Sequence, residues 1–164
     1  MIYDKAENNA LKDASGASAW ASLYSISAKK VRALNVKTNS FCAGGGWIGN
    51  GTLVSVGGNP QQTYINDKAQ DGLAAIRLFT PCTNSKCDVY ENPSRIRMTS
   101  PRWYPSTVRL TDGSLMIAGG MIAGGASPLS SLRAASLPPL PVRVLTSTAV
   151  HLMLRRRLQQ PRVD

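Results

Sequence analysis

A thiol and a phenol occupy equivalent places in two stretches of this chain that otherwise rhyme. Cys42 opens Cys42-Ala43-Gly44-Gly45-Gly46-Trp47-Ile48-Gly49-Asn50-Gly51-Thr52, which runs on to Gly57-Gly58. Tyr104 opens Tyr104-Pro105-Ser106-Thr107-Val108-Arg109-Leu110-Thr111-Asp112-Gly113-Ser114, which runs on to Gly119-Gly120. An offset of 62 positions lays Asn50-Gly51 on Asp112-Gly113, one closing glycine pair on the other, and Cys42 on Tyr104. Neighbouring repeats that place these groups on corresponding strands bring sulfur and ring within reach. A thioether between a cysteine sulfur and a tyrosine ring carbon makes the phenol easier to oxidise. With copper nearby, such a phenol can hold a radical and supply one oxidising equivalent while the metal supplies another. Cys42 and Tyr104 are therefore the pair whose chemistry the rest of the chain has to position.

The elements that must position this pair read as hairpins. Each stretch offers a strand, a two-residue Asn-Gly or Asp-Gly turn and an apolar strand ending in Gly-Gly. Alternation after Tyr104 puts Tyr104, Ser106, Val108 and Leu110 on one face, expected to be the packed one, and Pro105, Thr107, Arg109 and Thr111 on the other. Upstream, residues 20–26 and 31–34 predict another hairpin around a polar turn, and Met1-Ile2-Tyr3 predicts the end of a strand. Residues 74–79 predict a strand, with shorter ones at Val89-Tyr90 and residues 96–98. No amphipathic helical pattern is present. The fold class is thus all-β, a partial kelch-type propeller of about two blades of short antiparallel strands. The repeat exceeds the roughly 50 residues of an ordinary kelch unit, and its long loops account for the excess.

Composition narrows the function classes. The chain carries 19 basic and 9 acidic residues, a net +10. Up to Gly120 the basic residues are scattered singly, apart from Lys29-Lys30, so no recognition helix or basic stripe forms and neither nucleic acid nor membrane is an expected partner. No run approaches the ~20 apolar residues that span a bilayer. Met1-Ile2-Tyr3-Asp4-Lys5 has no signal-peptide pattern. Of the three cysteines, Cys82 and Cys87 are the candidates for a short disulfide in an oxidising compartment. Cys42 is left over as a reactive thiol, an intermolecular bond or an inert core residue. A single histidine and no second cysteine pair leave no zinc pattern. Gly44-Gly45-Gly46 lacks the Lys-Ser/Thr and helix of a phosphate loop and reads as close backbone packing. Asn50-Gly51-Thr52 has the form of a glycosylation site but reads as a turn, and Trp47 and Trp103 read as core. After Gly120 the character changes. Residues 121–164 hold no aromatic residue, asparagine, lysine or cysteine. This Arg/Pro/Leu/Ser-rich tail reads as a second, disordered region, or as translation through an intron or out of frame.

Several segments together resemble a known family. Phe41-Cys42-Ala43-Gly44-Gly45-Gly46-Trp47, Gly57-Gly58-Asn59-Pro60, Glu91-Asn92-Pro93-Ser94-Arg95 and Arg102-Trp103-Tyr104-Pro105-Ser106-Thr107 are similar to the glyoxal oxidase group of copper radical oxidases, relatives of galactose oxidase, as is Asp4-Lys5-Ala6-Glu7-Asn8-Asn9. The resemblance covers about residues 1–120. It implies that Cys42 is the thioether cysteine and Tyr104 the cross-linked tyrosine, an equatorial copper ligand that carries the radical. It also implies a secreted enzyme that oxidises small aldehydes or primary alcohols with O2, giving H2O2. That family completes its copper site with an axial tyrosine directly followed by a histidine, and with a second histidine later in the chain. No Tyr-His pair occurs here, and the sole histidine, His151, lies in the tail. The expectation is a fragment of such an oxidase, with an incomplete copper site and no turnover of its own. The alternative is a non-catalytic kelch-repeat interaction module, with Cys42 a buried thiol and Tyr104 packed between blades.

Overall fold

The computed structural model describes residues 1–3, 5–62, 69–84 and 86–121. Among them every regular element is a strand. Strands β1 (Ile2–Tyr3), β2 (Ala21–Ser25) and β3 (Lys30–Leu34) pair in the order β1-β2-β3. Strands β4 (Gly44–Trp47), β5 (Leu53–Val56), β6 (Ile76–Phe79) and β7 (Val89–Glu91) form a four-stranded meander, β4-β5-β6-β7. Strands β8 (Ser106–Arg109) and β9 (Leu115–Ala118) form a two-stranded sheet. All strand pairs are antiparallel. The architecture is all-β and that of a partial propeller, with one complete four-stranded blade between three strands of one neighbour and two of another. The ring is not closed.

Alternation along β5 and β6 explains why the middle sheet is covered on both faces. Val54, Val56 and Ile76 point one way, into a cluster with Ile48, Met98, Leu115 and Ile117 that joins this sheet to β9. Leu53 and Phe79, cross-strand partners, point the other way, into a cluster with Trp20, Leu34, Val36 and Val89 that joins it to β2 and β3. Residues 96–98 do not form the expected strand. Ala75 bridges Arg97 there, and Ile96 and Met98 serve as core side chains.

A charge sits inside this apolar frame. Arg77 faces the same side as Leu53 and Phe79 and is fully buried, not part of a solvated basic surface. Its Nε lies 3.3 Å from Glu91 Oε1 and donates to Thr38 Oγ1 at 2.9 Å. Its terminal nitrogens donate to the Gly57 carbonyl at 2.8 Å and the Asn39 carbonyl at 3.2 Å. Glu91 in turn accepts from the Lys37 and Thr38 amides, at 2.7 and 3.3 Å, and from the Thr38 hydroxyl. Burial pushes the guanidinium below its ordinary value, and Glu91 opposes that shift. Such a pair is tolerable only because nearly every donor is used. It welds the segment ahead of Cys42 to β6 and β7.

The hairpin turns differ from expectation in one detail. Ile48 N donates to Thr52 O at 3.0 Å and Gly51 N to Ile48 O at 3.0 Å. Leu110 N donates to Ser114 O at 2.9 Å and Gly113 N to Leu110 O at 3.0 Å. Each loop therefore has three residues, not two, with the glycine left-handed at φ 82° and 81°. Asn50 and Asp112 hold the loops by accepting from the amides of Thr52 and Ser114, at 3.0 and 2.9 Å. Cys82 and Cys87 are joined in a disulfide, their Cα atoms 5.5 Å apart. The tail anticipated from composition, His151 included, lies outside the described residues except for Met121, which bridges Trp103.

Candidate functional site

The two rhyming stretches lie side by side, and equivalent residues bond to each other. The Thr107 hydroxyl donates to the Gly45 carbonyl at 2.7 Å, across the 62-residue offset of the repeat. Tyr104 N donates to Cys42 O at 3.2 Å, across the same offset. At the far end Gly49 N donates to Gly113 O at 2.7 Å. Strand β8 thus runs along β4 from the Cys42–Tyr104 end to the turn.

Cys42 and Tyr104 share a backbone feature that the sequence did not reveal. Both are left-handed, at φ 60° and 56°, a region that costs a non-glycine residue roughly 1–2 kcal/mol. The turn at Tyr104 ends the expected alternation. Pro105 is buried and Thr107 half-buried against β4, whereas Tyr104 and Val108 are 55% and 51% exposed. The packed face is therefore that of Pro105 and Thr107, the reverse of the expectation. The main-chain bond from the Tyr104 amide to the Cys42 carbonyl fixes this turn at the leading end of β4. Side-chain hydrogen bonding with Cys42, then lost hydration, then the charge interaction with Cys42 raise the phenol above its ordinary value. The phenol side of the pair is open to solvent. Cys42 is half-buried and unpaired with another cysteine.

Three further groups border the pair. The Trp103 ring packs on Tyr104, centroids 4.5 Å apart at 46°, and its buried indole N–H has no partner among the described residues. Trp47, expected in the core, is exposed instead. An open cavity of about 360 Å³ lies on the thiol's side, lined by Tyr3, Phe41, Cys42, Leu53 and Ser55 among others. Tyr104 does not line it, so it does not present both groups to one small molecule. Adjacency in sequence to Tyr104 was the signal that could have singled out Trp103, whereas the left-handed backbone and the buried Arg77 carried none.

Copper has an incomplete set of donors here. Among the described residues no group of three or more His, Cys, Asp or Glu is placed to hold a metal ion, and His151 lies outside them. Tyr104 is the one donor the resemblance assigns. The described residues do not fit a complete copper centre, and the chemistry they can carry by themselves is that of the thiol and the phenol.

Comparison with known proteins assigns the family. Residues 3–132 match the model described as glyoxal oxidase N-terminus. The chain belongs to this glyoxal oxidase family. The match runs past Gly120, where the sequence changes character, by a dozen residues. The glyoxal oxidase stretch is 30% identical over 102 residues to an aldehyde oxidase GLOX of Vitis pseudoreticulata, covering 62% of this chain and 17% of that protein. It is 32% identical over 98 residues to aldehyde oxidase GLOX1 of Arabidopsis thaliana, covering 60% and 14%. A WSC domain-containing protein of Arthroderma benhamiae is 28% identical over 108 residues, covering 63% and 11%. The chain therefore spans less than a fifth of each of these relatives. No solved structure matches it. Among the described residues no helix is long and apolar enough to cross a membrane.

Proposed function

We propose that this chain supplies the thiol–phenol half of a copper radical oxidase, with Cys42 and Tyr104 joining into a thioether-linked, radical-forming cofactor. The observation that carries the reading is the main-chain hydrogen bond from Tyr104 to Cys42, made between left-handed positions that correspond in adjacent hairpins. Joining them forms one bond from sulfur to the ring carbon beside the hydroxyl and breaks the S–H and that C–H. Two protons and two electrons leave, and O2 takes them to become H2O2. Sulfur on the ring then lowers the cost of removing an electron from the phenol. In the complete oxidase, a secreted kelch-type propeller, Tyr104 would help hold the copper. The reaction would oxidise small aldehydes or primary alcohols at the expense of O2. The remaining metal ligands and the base would come from beyond the described residues.

Peptide mapping of the protein from its native source, with copper supplied, tests this. The expected product is a single cross-linked species containing Cys42 and Tyr104, lighter by about two hydrogens than the two peptides together. Two unmodified peptides would sink the reading and favour a non-catalytic interaction module. The 164-residue chain by itself is expected to release no copper-dependent H2O2, and turnover above a Cys42→Ala control would show that its ligand set is larger than the assigned tyrosine.

A further inference from the structure

Glycines from three strand ends surround the turn that carries Tyr104. A Cβ on Gly44 would lie 2.5 Å from the Pro105 carbonyl oxygen, 3.2 Å from Thr107 Cγ2 and 3.3 Å from Pro105 Cγ. One on Gly57 would press on the Arg102 carbonyl, and one on Gly120 would sit 3.0 Å from the Trp103 carbonyl. Gly57 and Gly120 are also left-handed, so their glycine identity has two causes. Gly44 is an extended residue of β4, and close approach is its whole reason. Gly46 is a built-in control. It lies on the same strand and face, but its Cβ would meet only the tip of Leu115, at 2.9 Å, which a flexible side chain can vacate.

A methyl at Gly44 has to displace backbone, by roughly 1 Å before an ordinary contact of about 3.5 Å is restored. That displacement acts on the residue after Tyr104 and two residues from Cys42. Thr107 acts on the same seat from the other strand, through its bond to the Gly45 carbonyl at 2.7 Å. We infer that Gly44 and Thr107 are positioning residues for the Cys42–Tyr104 pair: the missing side chain of one and the hydroxyl of the other seat the Tyr104 turn on β4 so that phenol and thiol meet. The glycine run that opens β4 thereby has a part in the site, one that rests on the proposed function only for its consequence and not for its geometry.

The test replaces the phenol by a second thiol and uses disulfide formation as a ruler that needs neither tyrosine nor copper. In the full chain carrying Tyr104→Cys, the main-chain bond between positions 42 and 104 keeps the two Cα atoms within the roughly 7 Å that a disulfide tolerates. Oxidised glutathione takes up the two electrons and two protons as the new bond forms, and peptide mapping gives the ratio of disulfide to dithiol. Adding Gly44→Ala is expected to lower that ratio at least about fivefold, and Thr107→Ala about threefold, while Gly46→Ala leaves it within a factor of about 1.5. A ratio for Gly44→Ala equal to that for Gly46→Ala overturns the inference. If Gly44→Ala shows no cooperative thermal transition, Thr107→Ala decides, and an unchanged ratio there overturns it. Failure to find the thioether in the native protein would remove the proposed function and leave this ruler untouched.

Discussion

The hairpins β4–β5 and β8–β9 are built alike and live differently. Both begin at a left-handed non-glycine residue, turn through three residues with a left-handed glycine and end in a left-handed glycine pair. Yet Val54 and Val56 on β5 are wholly buried, while β8 leaves half of Val108 in solvent. β4–β5 continues into β6 and β7 and rests on the Arg77–Glu91 pair. β8–β9 has neither among the described residues. Local sequence therefore sets the shape of a hairpin, and its neighbours set how firmly it is held. The proposed pair straddles the two, with the thiol on the anchored hairpin and the phenol on the open one.

The largest test strikes the anchor. Glu91→Gln leaves the Arg77 guanidinium buried without its counter-charge, which costs about 3–5 kcal/mol, read from chemical denaturation. A loss below about 1 kcal/mol would mean that Thr38 and the surrounding carbonyls satisfy Arg77 without the ion pair, and the first hairpin would be no better anchored than the second.

A smaller test compares the turns. Gly51→Ala and Gly113→Ala each place a side chain at φ near 80°, costing about 1–2 kcal/mol. A methyl at Gly51 meets nothing within 4 Å, whereas one at Gly113 lies 2.9 Å from Gly49 Cα. Gly113→Ala should therefore be the more destabilising of the two, and equal losses would show that the hairpin tips are not held together.

The smallest concerns the phenols. Tyr104 is raised by its partner, but Tyr3 is raised by burial, to about 12, with Arg77 opposing and Glu91 adding to the shift. The unfolded Tyr3 ionises near its ordinary value of about 10. Between about 10 and 12 the unfolded state thus holds fewer protons than the folded one, and stability falls as pH rises through that window. Tyr3→Phe should flatten the fall measured by denaturation midpoints. An unchanged slope would place the alkaline loss elsewhere, with Tyr104 the next group to examine.

Much of this was legible in the residues. The repeat offset located both hairpins because Asn-Gly and Asp-Gly followed by a small hydroxyl residue mark turns by local chemistry alone. The same offset joined Cys42 to Tyr104. Alternation failed for β8 because it takes no account of a residue that leaves the extended region, and Tyr104 does so two residues before the strand. Arg77 was hidden because an arginine in a short strand looks the same whether its partners are water or Glu91, Thr38 and two carbonyls brought from far along the chain. Trp47 was misjudged because its burial depends on a surface that no local pattern specifies.

The hydrogen bond from the Tyr104 amide to the Cys42 carbonyl belongs to the main chain, and therefore survives any side-chain replacement at either position that tolerates the left-handed turn. Frame and reagent are separable at this point of the molecule. On the proposed reading, a single codon change at either position would remove the thiol–phenol chemistry and leave this main-chain bond in place.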